Sequence, residues 1–122
     1  MEVFTEFGFE AAHRLLNLPE GHKCSRLHGH SYRVQVRVRG DVDPHTGMVV
    51  DFAAIQDACA PVRQKLDHYY LNDIAGLTNP TSENLARWIW DQLRTSPVSV
   101  SRVVVRETCT SGAEYGGEDD PE

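Results

Sequence analysis

Residues 24–39 read CSRLHGHSYRVQVRVR, and they carry the strongest structural signal in the chain. From Tyr32 onward, apolar and polar residues alternate with a period of two, which is typical of a half-buried strand. Extending that register backwards puts His28 and His30 on the apolar face together with Tyr32. Residues two apart on a strand lie roughly 6.6 Å apart and point the same way, so the two imidazoles could share one metal ion.

A third histidine follows from residues 3–13, VFTEFGFEAAH, in which the odd positions carry more of the apolar residues and His13 continues their face. A single histidine on an apolar face is most often a hydrogen-bonded core residue. Burying three imidazoles without a ligand would leave several nitrogens unpaired, at roughly 1–3 kcal/mol each. The three together therefore favour a metal site, and three nitrogen ligands with an open fourth position are typical of a catalytic zinc.

Length and composition indicate one globular domain of 122 residues, 40% hydrophobic and 25% charged. The net charge of −6 is concentrated at the C-terminus, because residues 1–113 hold 13 acidic and 12 basic residues. We expect a single domain over residues 1–115 and a disordered acidic tail over residues 116–122.

Several classes of protein are disfavoured by the composition. We expect no nucleic-acid partner, because no basic surface is indicated, and no membrane span, because the apolar runs are short. No signal peptide is visible, and three cysteines are an odd number without disulfide spacing. A reducing, cytoplasmic location fits best.

The remaining patterns predict four strands and two helices. Strands are expected over about 2–13, 28–40 and 98–108, with a short final strand near 113–115. A first helix follows the N-cap Asp51, with an apolar stripe formed by Phe52, Ile55, Cys59, Val62 and Leu66. A second helix is capped by Thr81, ends before Pro97, and has a stripe formed by Leu85, Trp88, Ile89 and Leu93. The order β-β-α-α-β-β predicts an α+β fold, an antiparallel sheet with two helices on one face.

The opposite face of the second strand is polar. It presents Arg33, Gln35, Arg37 and Arg39. This face is either solvated or lines an interface or tunnel in an oligomer.

Cys24 lies in the loop that enters the histidine motif, between Lys23 and Arg26. Neighbouring basic groups and a metal would lower the pKa of its thiol. We interpret Cys24 as a catalytic thiol, and a fourth zinc ligand is the alternative. Cys59 and Cys109 are interpreted as structural.

Two further candidate sites each contain an acidic residue. Asp67-His68 follows the first helix and is either a surface pair or, with a cysteine, part of a proton relay. Glu107 continues the inward face of Val103 and Val105, where a carboxylate needs a partner. That partner is either a buried arginine or a ligand with adjacent N–H donors, which a carboxylate accepts side by side.

Taken in order, these blocks resemble the 6-pyruvoyl-tetrahydropterin synthase family over about residues 1–115. The matching segments are Phe9–Leu15 (FEAAHRL), Cys24–His30 (CSRLHGH), Leu66–Asn72 (LDHYYLN), Pro80–Ala86 (PTSENLA) and Glu107-Thr108. The short gap between Cys24 and His28 is similar to that of the bacterial branch, the 6-carboxy-5,6,7,8-tetrahydropterin synthases of queuosine biosynthesis. A cysteine at position 24 departs from the folate-pathway branch, which has glutamate there.

The resemblance implies a tunnelling fold (T-fold), in which three protomers close a barrel and two trimers stack as a homohexamer. It implies a lyase that converts 7,8-dihydroneopterin triphosphate into 6-carboxy-5,6,7,8-tetrahydropterin, acetaldehyde and triphosphate. Zinc would be held by His13, His28 and His30, with Cys24, Asp67 and His68 as catalytic residues. Glu107, with Thr108, would bind the pterin, and Lys23, Arg26 and His22 are candidates for the triphosphate.

Three other interpretations stay open at this level. The chain could perform only the triphosphate elimination of the 6-pyruvoyl type. It could be a zinc hydrolase on a similar three-histidine site, or a pterin-binding homologue without activity. Retention of Cys24, Asp67 and His68 argues against the last.

Overall fold

The computed structural model describes residues 1–108 and 110–118. Its strands are β1 (Glu2–His13), β2 (His28–Arg39), β3 (Val100–Glu107) and β4 (Ser111–Tyr115). Its helices are α1 (Phe52–Leu66) and α2 (Ser82–Leu93), and short 3₁₀ turns cover Lys23–Ser25 and Leu71–Asp73. The strands form one antiparallel sheet in the order β1-β2-β3-β4. The predicted α+β fold is confirmed.

The core lies between the two helices and one face of the sheet. Valines of β2 and β3 meet the apolar stripes of both helices there. Phe52 is an exception, because this first residue of α1 lies outside the core cluster and is 52% exposed. The prediction that Phe52 belongs to the buried stripe is therefore wrong, whereas the rest of both stripes is buried as expected.

Both helices begin at the predicted caps. The Asp51 carboxylate accepts a hydrogen bond from the Ala53 N–H at 2.8 Å, and the Thr81 hydroxyl accepts one from the Asn84 N–H at 3.1 Å. Pro80, immediately before the α2 cap, is buried, and its carbonyl group faces the end of β1.

Hydrogen bonds hold the segment after α1 against the outer edge of β1. The N–H of His68 donates to the Glu10 carbonyl group at 2.6 Å, and the N–H of Ala12 donates to the Tyr69 carbonyl group at 3.3 Å. The Asp67 carboxylate accepts from the Glu10 N–H at 3.0 Å. These bonds cover one end of a strand edge that would otherwise present unpaired backbone groups.

The face of the sheet opposite the helices is polar, as predicted for β2. Arg33 and Arg39 are exposed there, whereas Gln35 is only 9% exposed and accepts a hydrogen bond from Arg37 at 2.6 Å. We call this surface the open face. Along the described residues, no helix combines the length and apolar character needed to cross a membrane.

The described part of the predicted tail contacts β3. Glu118 accepts from the Gly116 N–H at 2.8 Å and pairs with Arg102 at 2.6 Å. Residues 119–122 and Cys109 lie outside the described residues, so the domain boundary at 115 and the structural role of Cys109 stay predictions.

Candidate metal centre and active site

The three histidines meet at one end of the sheet. His13, the last residue of β1, is the register partner of His28, the first residue of β2, and His30 lies two residues further on the same face. One ligand atom from each of the three lies within 4.8 Å of the others. They form the one such group found among residues 1–108 and 110–118. The predicted histidine cluster is therefore present.

Hydrogen bonds fix the ring orientation of two of these histidines. The Nδ1 atom of His13 lies 2.8 Å from the Pro80 carbonyl oxygen, and the Nδ1 atom of His28 lies 2.8 Å from the Arg26 carbonyl oxygen. A carbonyl oxygen can only accept, so each Nδ1 carries the hydrogen and each Nε2 presents a lone pair. The same arrangement orients metal-binding histidines in general.

The two Nε2 atoms point at each other across 2.9 Å. Two facing lone pairs repel unless a proton or a cation lies between them. His13 is 1% exposed, and this burial is the main reason that its pKa lies below the ordinary value. Neutral imidazoles with inward lone pairs are what a divalent metal ion requires, so the residues present fit a metal ion.

Tyr32 also contacts the histidine cluster, a role that was not predicted from the sequence. Its hydroxyl group lies 3.1 Å from His13 Nδ1, and its ring stacks on Phe9 with the centroids 4.8 Å apart. Burial is the main reason that the pKa of Tyr32 is raised, with the Glu107 charge second, so the phenol stays protonated. The period-two pattern already places Tyr32 on the same face as His28 and His30, but that pattern does not predict the contact with His13.

Glu107 lies beside the cluster on the same face, opposite Tyr32 in the register. One carboxylate oxygen accepts from the Ser82 hydroxyl group at 2.7 Å, and the other lies 3.6 Å from His30 Nε2. Among the described residues, no arginine pairs with Glu107, so the alternative of a buried salt bridge to arginine is not what the structure has. The hydrogen bond from Ser82 was also not predicted, although Ser82 lies in the PTSENLA segment.

Asp67 and His68 form a charged pair at the end of α1. The Asp67 Oδ1 atom lies 3.0 Å from His68 Nδ1, and Arg63 reaches the other oxygen at 3.3 Å. The Glu10 N–H is the main cause that holds the pKa of Asp67 below its usual value, followed by His68. His68 has a φ of 63°, which is uncommon outside glycine, and its side chain is 78% exposed. Backbone bonding thus holds a strained residue with its imidazole in solvent.

Cys24 is half-buried in the 3₁₀ turn before β2 and is not a member of the histidine group. Its N–H donates to His22 at 3.1 Å, and its carbonyl group accepts from Leu15 at 2.8 Å. A cavity of about 540 Å³ is lined by both His30 and His68, together with Tyr69 and Thr108, but not by Cys24. The cavity thus places His68 near the histidine cluster, and among the described residues Cys24 makes no hydrogen bond with Asp67 or His68.

The remaining predicted binding residues lie around the same end of the sheet. Lys23 and Arg26 are exposed on the loop before β2, and the Arg26 carbonyl group is the one that orients His28. The Thr108 hydroxyl group accepts from the Ser31 N–H at 3.0 Å and so closes the end of the β2–β3 ladder.

Comparisons with known proteins agree with this arrangement. The family model described as 6-pyruvoyl tetrahydropterin synthase matches residues 2–118. A Synechocystis sp. protein named 6-carboxy-5,6,7,8-tetrahydropterin synthase is 49% identical, with 93% of this chain and 91% of the relative covered. The human 6-pyruvoyl tetrahydrobiopterin synthase is 37% identical, with 96% and 92% covered. The solved structure of Caenorhabditis elegans 6-pyruvoyl tetrahydropterin synthase superposes with a TM-score of 0.86 at 30% identity, covering 97% of this chain and 96% of that one. The chain belongs to the 6-pyruvoyl tetrahydropterin synthase family.

Proposed function

We propose that the chain is a zinc-dependent 6-carboxy-5,6,7,8-tetrahydropterin synthase. With one water molecule, it converts 7,8-dihydroneopterin triphosphate into 6-carboxy-5,6,7,8-tetrahydropterin, acetaldehyde and triphosphate, as a step of queuosine biosynthesis in the cytoplasm. The observation that carries the proposal is the set of His13 and His28 lone pairs facing each other at 2.9 Å, with the Glu107 carboxylate 3.6 Å from His30 on the same face. A metal site and a carboxylate that can accept two N–H groups are thereby adjacent.

The choice of branch is supported by sequence. The relative from Synechocystis sp., at 49% identity, is named for the 6-carboxy product, and the short gap between Cys24 and His28 agrees with that branch. The alternative is elimination of triphosphate of the 6-pyruvoyl type, as in the name of the 37% identical human relative. The zinc hydrolase and the inactive pterin-binding protein are the other two classes that an assay must separate.

His13, His28 and His30 would hold the metal ion. When bound there, zinc would supply Lewis-acid polarisation of the hydroxyl groups on the pterin side chain. Glu107 would accept two hydrogen bonds from the amino-pyrimidine edge of the substrate, an arrangement that fixes the ring in one orientation. The Ser82 hydroxyl group holds the Glu107 carboxylate ready for that contact.

Proton transfer is assigned to the remaining predicted residues. The Cys24 thiol would exchange protons at the side-chain carbons, and His68, oriented by Asp67 at 3.0 Å, would relay them. Because no hydrogen bond joins Cys24 to this pair among the described residues of one chain, we propose that a neighbouring protomer of a homohexamer completes the site. Thr108 would assist Glu107, and Lys23 and Arg26 would contact the triphosphate. Residues 1–115 would form the single catalytic domain.

The test is mass spectrometry of the products formed from 7,8-dihydroneopterin triphosphate by zinc-loaded and chelator-treated protein. We expect the mass of 6-carboxytetrahydropterin together with acetaldehyde, formed only by the zinc-loaded sample. A 6-pyruvoyl product would favour the alternative. Unchanged substrate would leave the inactive pterin-binding homologue, and turnover of simple esters without turnover of the pterin would indicate a hydrolase.

A further inference from the structure

Two arginines lie side by side on the open face. Arg33 of β2 is the register partner of Arg106 of β3, and the outer neighbours in this row are Gly8 of β1 and Gly112 of β4. Both arginines are exposed. Like charges directly opposite each other on neighbouring strands destabilise a sheet. An anion bound between the two guanidinium groups would relieve this repulsion.

A second arginine pair on the same face has such partners. Arg37 is opposite Arg102, and Glu2 lies 3.9 Å from Arg37 while Glu118 lies 2.6 Å from Arg102. The Gly116 N–H and then Arg102 lower the pKa of Glu118 to about 2, so that carboxylate is ionised at neutral pH. By contrast, Arg33 and Arg106 make no ion pair and no side-chain hydrogen bond within residues 1–108 and 110–118.

The space around Arg33 and Arg106 is also open. A Cβ atom at Gly112 would collide with the Val105 carbonyl oxygen, so the backbone requires glycine there. A Cβ atom at Gly8 would meet only the Tyr32 carbonyl oxygen, at 3.4 Å, so packing does not require glycine at position 8. The missing side chain leaves a gap beside Arg33, within a cavity of about 480 Å³ that Arg63 and Arg106 also line.

Carboxylates at the rim of this cavity are already engaged. Glu10 accepts from the Ser31 hydroxyl group at 2.8 Å, and Asp67 pairs with His68. Glu107 accepts from Ser82. The two guanidinium groups of Arg33 and Arg106 are thus left to attract an anion from solution, and each can bind phosphate oxygens in a bidentate manner.

We propose that Arg33 and Arg106 form a binding site for an oligophosphate group, on the face of the sheet opposite the histidine cluster. The proposal rests on the proposed function for the choice of anion, since that reaction starts from a triphosphate ester and releases triphosphate. The same chemistry has two sources, the released anion and the triphosphate arm of the substrate. The site is separate from Lys23 and Arg26, which lie on the loop before β2.

The test is isothermal titration calorimetry with sodium tripolyphosphate. It compares the wild-type protein, Arg33→Gln/Arg106→Gln and the charge-matched control Arg37→Gln/Arg102→Gln. We expect the first double variant to bind at least about ten-fold more weakly and the control to stay within about two-fold of wild type, because only the first pair lacks carboxylate partners. No binding by the wild-type protein, or equal losses in both double variants, overturns the proposal.

Thermal unfolding provides a second test, in which removal of an arginine should raise Tm instead of causing a loss. Without anion, Arg106→Gln should raise Tm because it removes a like-charge contact. Tripolyphosphate should raise the Tm of the wild-type protein but not the Tm of this variant.

Gly8→Glu tests the same site without removing an arginine. Its carboxylate would lie opposite Arg33 and should compete with the anion. Unchanged anion affinity in folded Gly8→Glu overturns the proposal.

Kinetics on the zinc-loaded protein separate the two sources. If Arg33 and Arg106 hold the substrate arm, Arg33→Gln/Arg106→Gln raises KM for the triphosphate ester. If they hold the released anion, KM is unchanged and inhibition by added tripolyphosphate is relieved. A wild-type protein that binds tripolyphosphate but forms no pterin product would refute the proposed reaction and leave the anion site standing. Product formation without anion binding would do the reverse.

Discussion

His13 and His28 are held in one orientation by carbonyl groups that come from outside the cluster. The Pro80 and Arg26 carbonyl oxygens each accept the Nδ1 hydrogen of one ring, so both Nε2 lone pairs are directed inward before any metal binds. Preorganisation of this kind lowers the free energy needed to order the ligands.

His28→Ala should abolish zinc binding while leaving the fold intact, since His28 is only partly buried whereas His13 is in the core. Wild-type protein should hold about one zinc per chain, measured by plasma emission spectrometry after dialysis. His45→Ala removes an exposed histidine from a turn and should keep the zinc. Full zinc content in His28→Ala would remove that residue from the ligand set.

Cys24→Ala should lower turnover of the pterin substrate by about a hundred-fold or more while the zinc content stays near one per chain, because proton transfer by a positioned group contributes on that scale. The matched control is Cys59→Ala. Burial raises the pKa of the Cys59 thiol to about 11, so that group stays protonated and should not contribute to turnover. A zinc-free Cys24→Ala protein would instead make Cys24 a metal ligand.

Glu107→Ala should weaken binding of a non-reactive pterin far more than binding of zinc. The lost hydrogen bonds to a charged group are worth about 2 kcal/mol, or roughly thirty-fold in affinity. Fluorescence titration with the pterin measures this, and Glu114→Gln on the open face is the control carboxylate. Equal pterin affinity in Glu107→Ala would assign Glu107 a structural role only.

At the scale of elements, the N-terminus of α2 connects helix capping to the metal site. Thr81 caps α2, and the Pro80 carbonyl group, one residue earlier, orients His13. Ser82, one residue later, holds Glu107. Three consecutive residues therefore fix the helix, one histidine of the cluster and the carboxylate beside it.

Thr81→Ala should destabilise the fold by about 1 kcal/mol and should also weaken zinc binding by roughly ten-fold, because it loosens a partner of a ligand histidine. Asp51→Ala removes the equivalent cap of α1 and should lower stability similarly without changing zinc affinity. Thermal unfolding and competition with a chelating dye measure the two effects. Identical zinc affinities in the two cap variants would mean that α2 does not position His13.

At the scale of the whole molecule, the described residues leave one face of the sheet and parts of both of its edges uncovered. The helices pack on the face that carries the valines of β2 and β3, while the open face carries paired and unpaired arginines. β4 forms the far edge of the sheet. Exposed edges invite pairing with another strand, and closing several sheets into a barrel removes them.

The chain should therefore assemble, with a homohexamer as the expected species. Because no hydrogen bond joins Cys24 to the Asp67-His68 pair among the described residues of one chain, we expect a shared site, and activity should fall as the assembly dissociates on dilution. Native mass spectrometry on an active sample, followed by assays over a dilution series, measures both. A monomer with full activity would refute the assembly and the shared site together.

The period-two strands, the capped helices and the inward face shared by His28, His30 and Tyr32 could all be predicted from the order of residues. These features follow from local chemistry, since alternation sets the face of a side chain and a cap sets the start of a helix. The resemblance of the motif blocks indicates the family without any knowledge of contacts.

Contacts between groups that are distant in the chain could not be predicted and became visible in the folded protein. The contact of Pro80 with His13 joins residues 67 apart in the chain, and that of Ser82 with Glu107 joins residues 25 apart. The exposed position of Phe52 was equally hidden, as was the lack of an ion-pair partner for Arg33 and Arg106 among the described residues, because a residue's own pattern does not state what packs against it. Such contacts depend on how β1, β2, β3 and α2 come together, and the packing of the whole core sets that geometry.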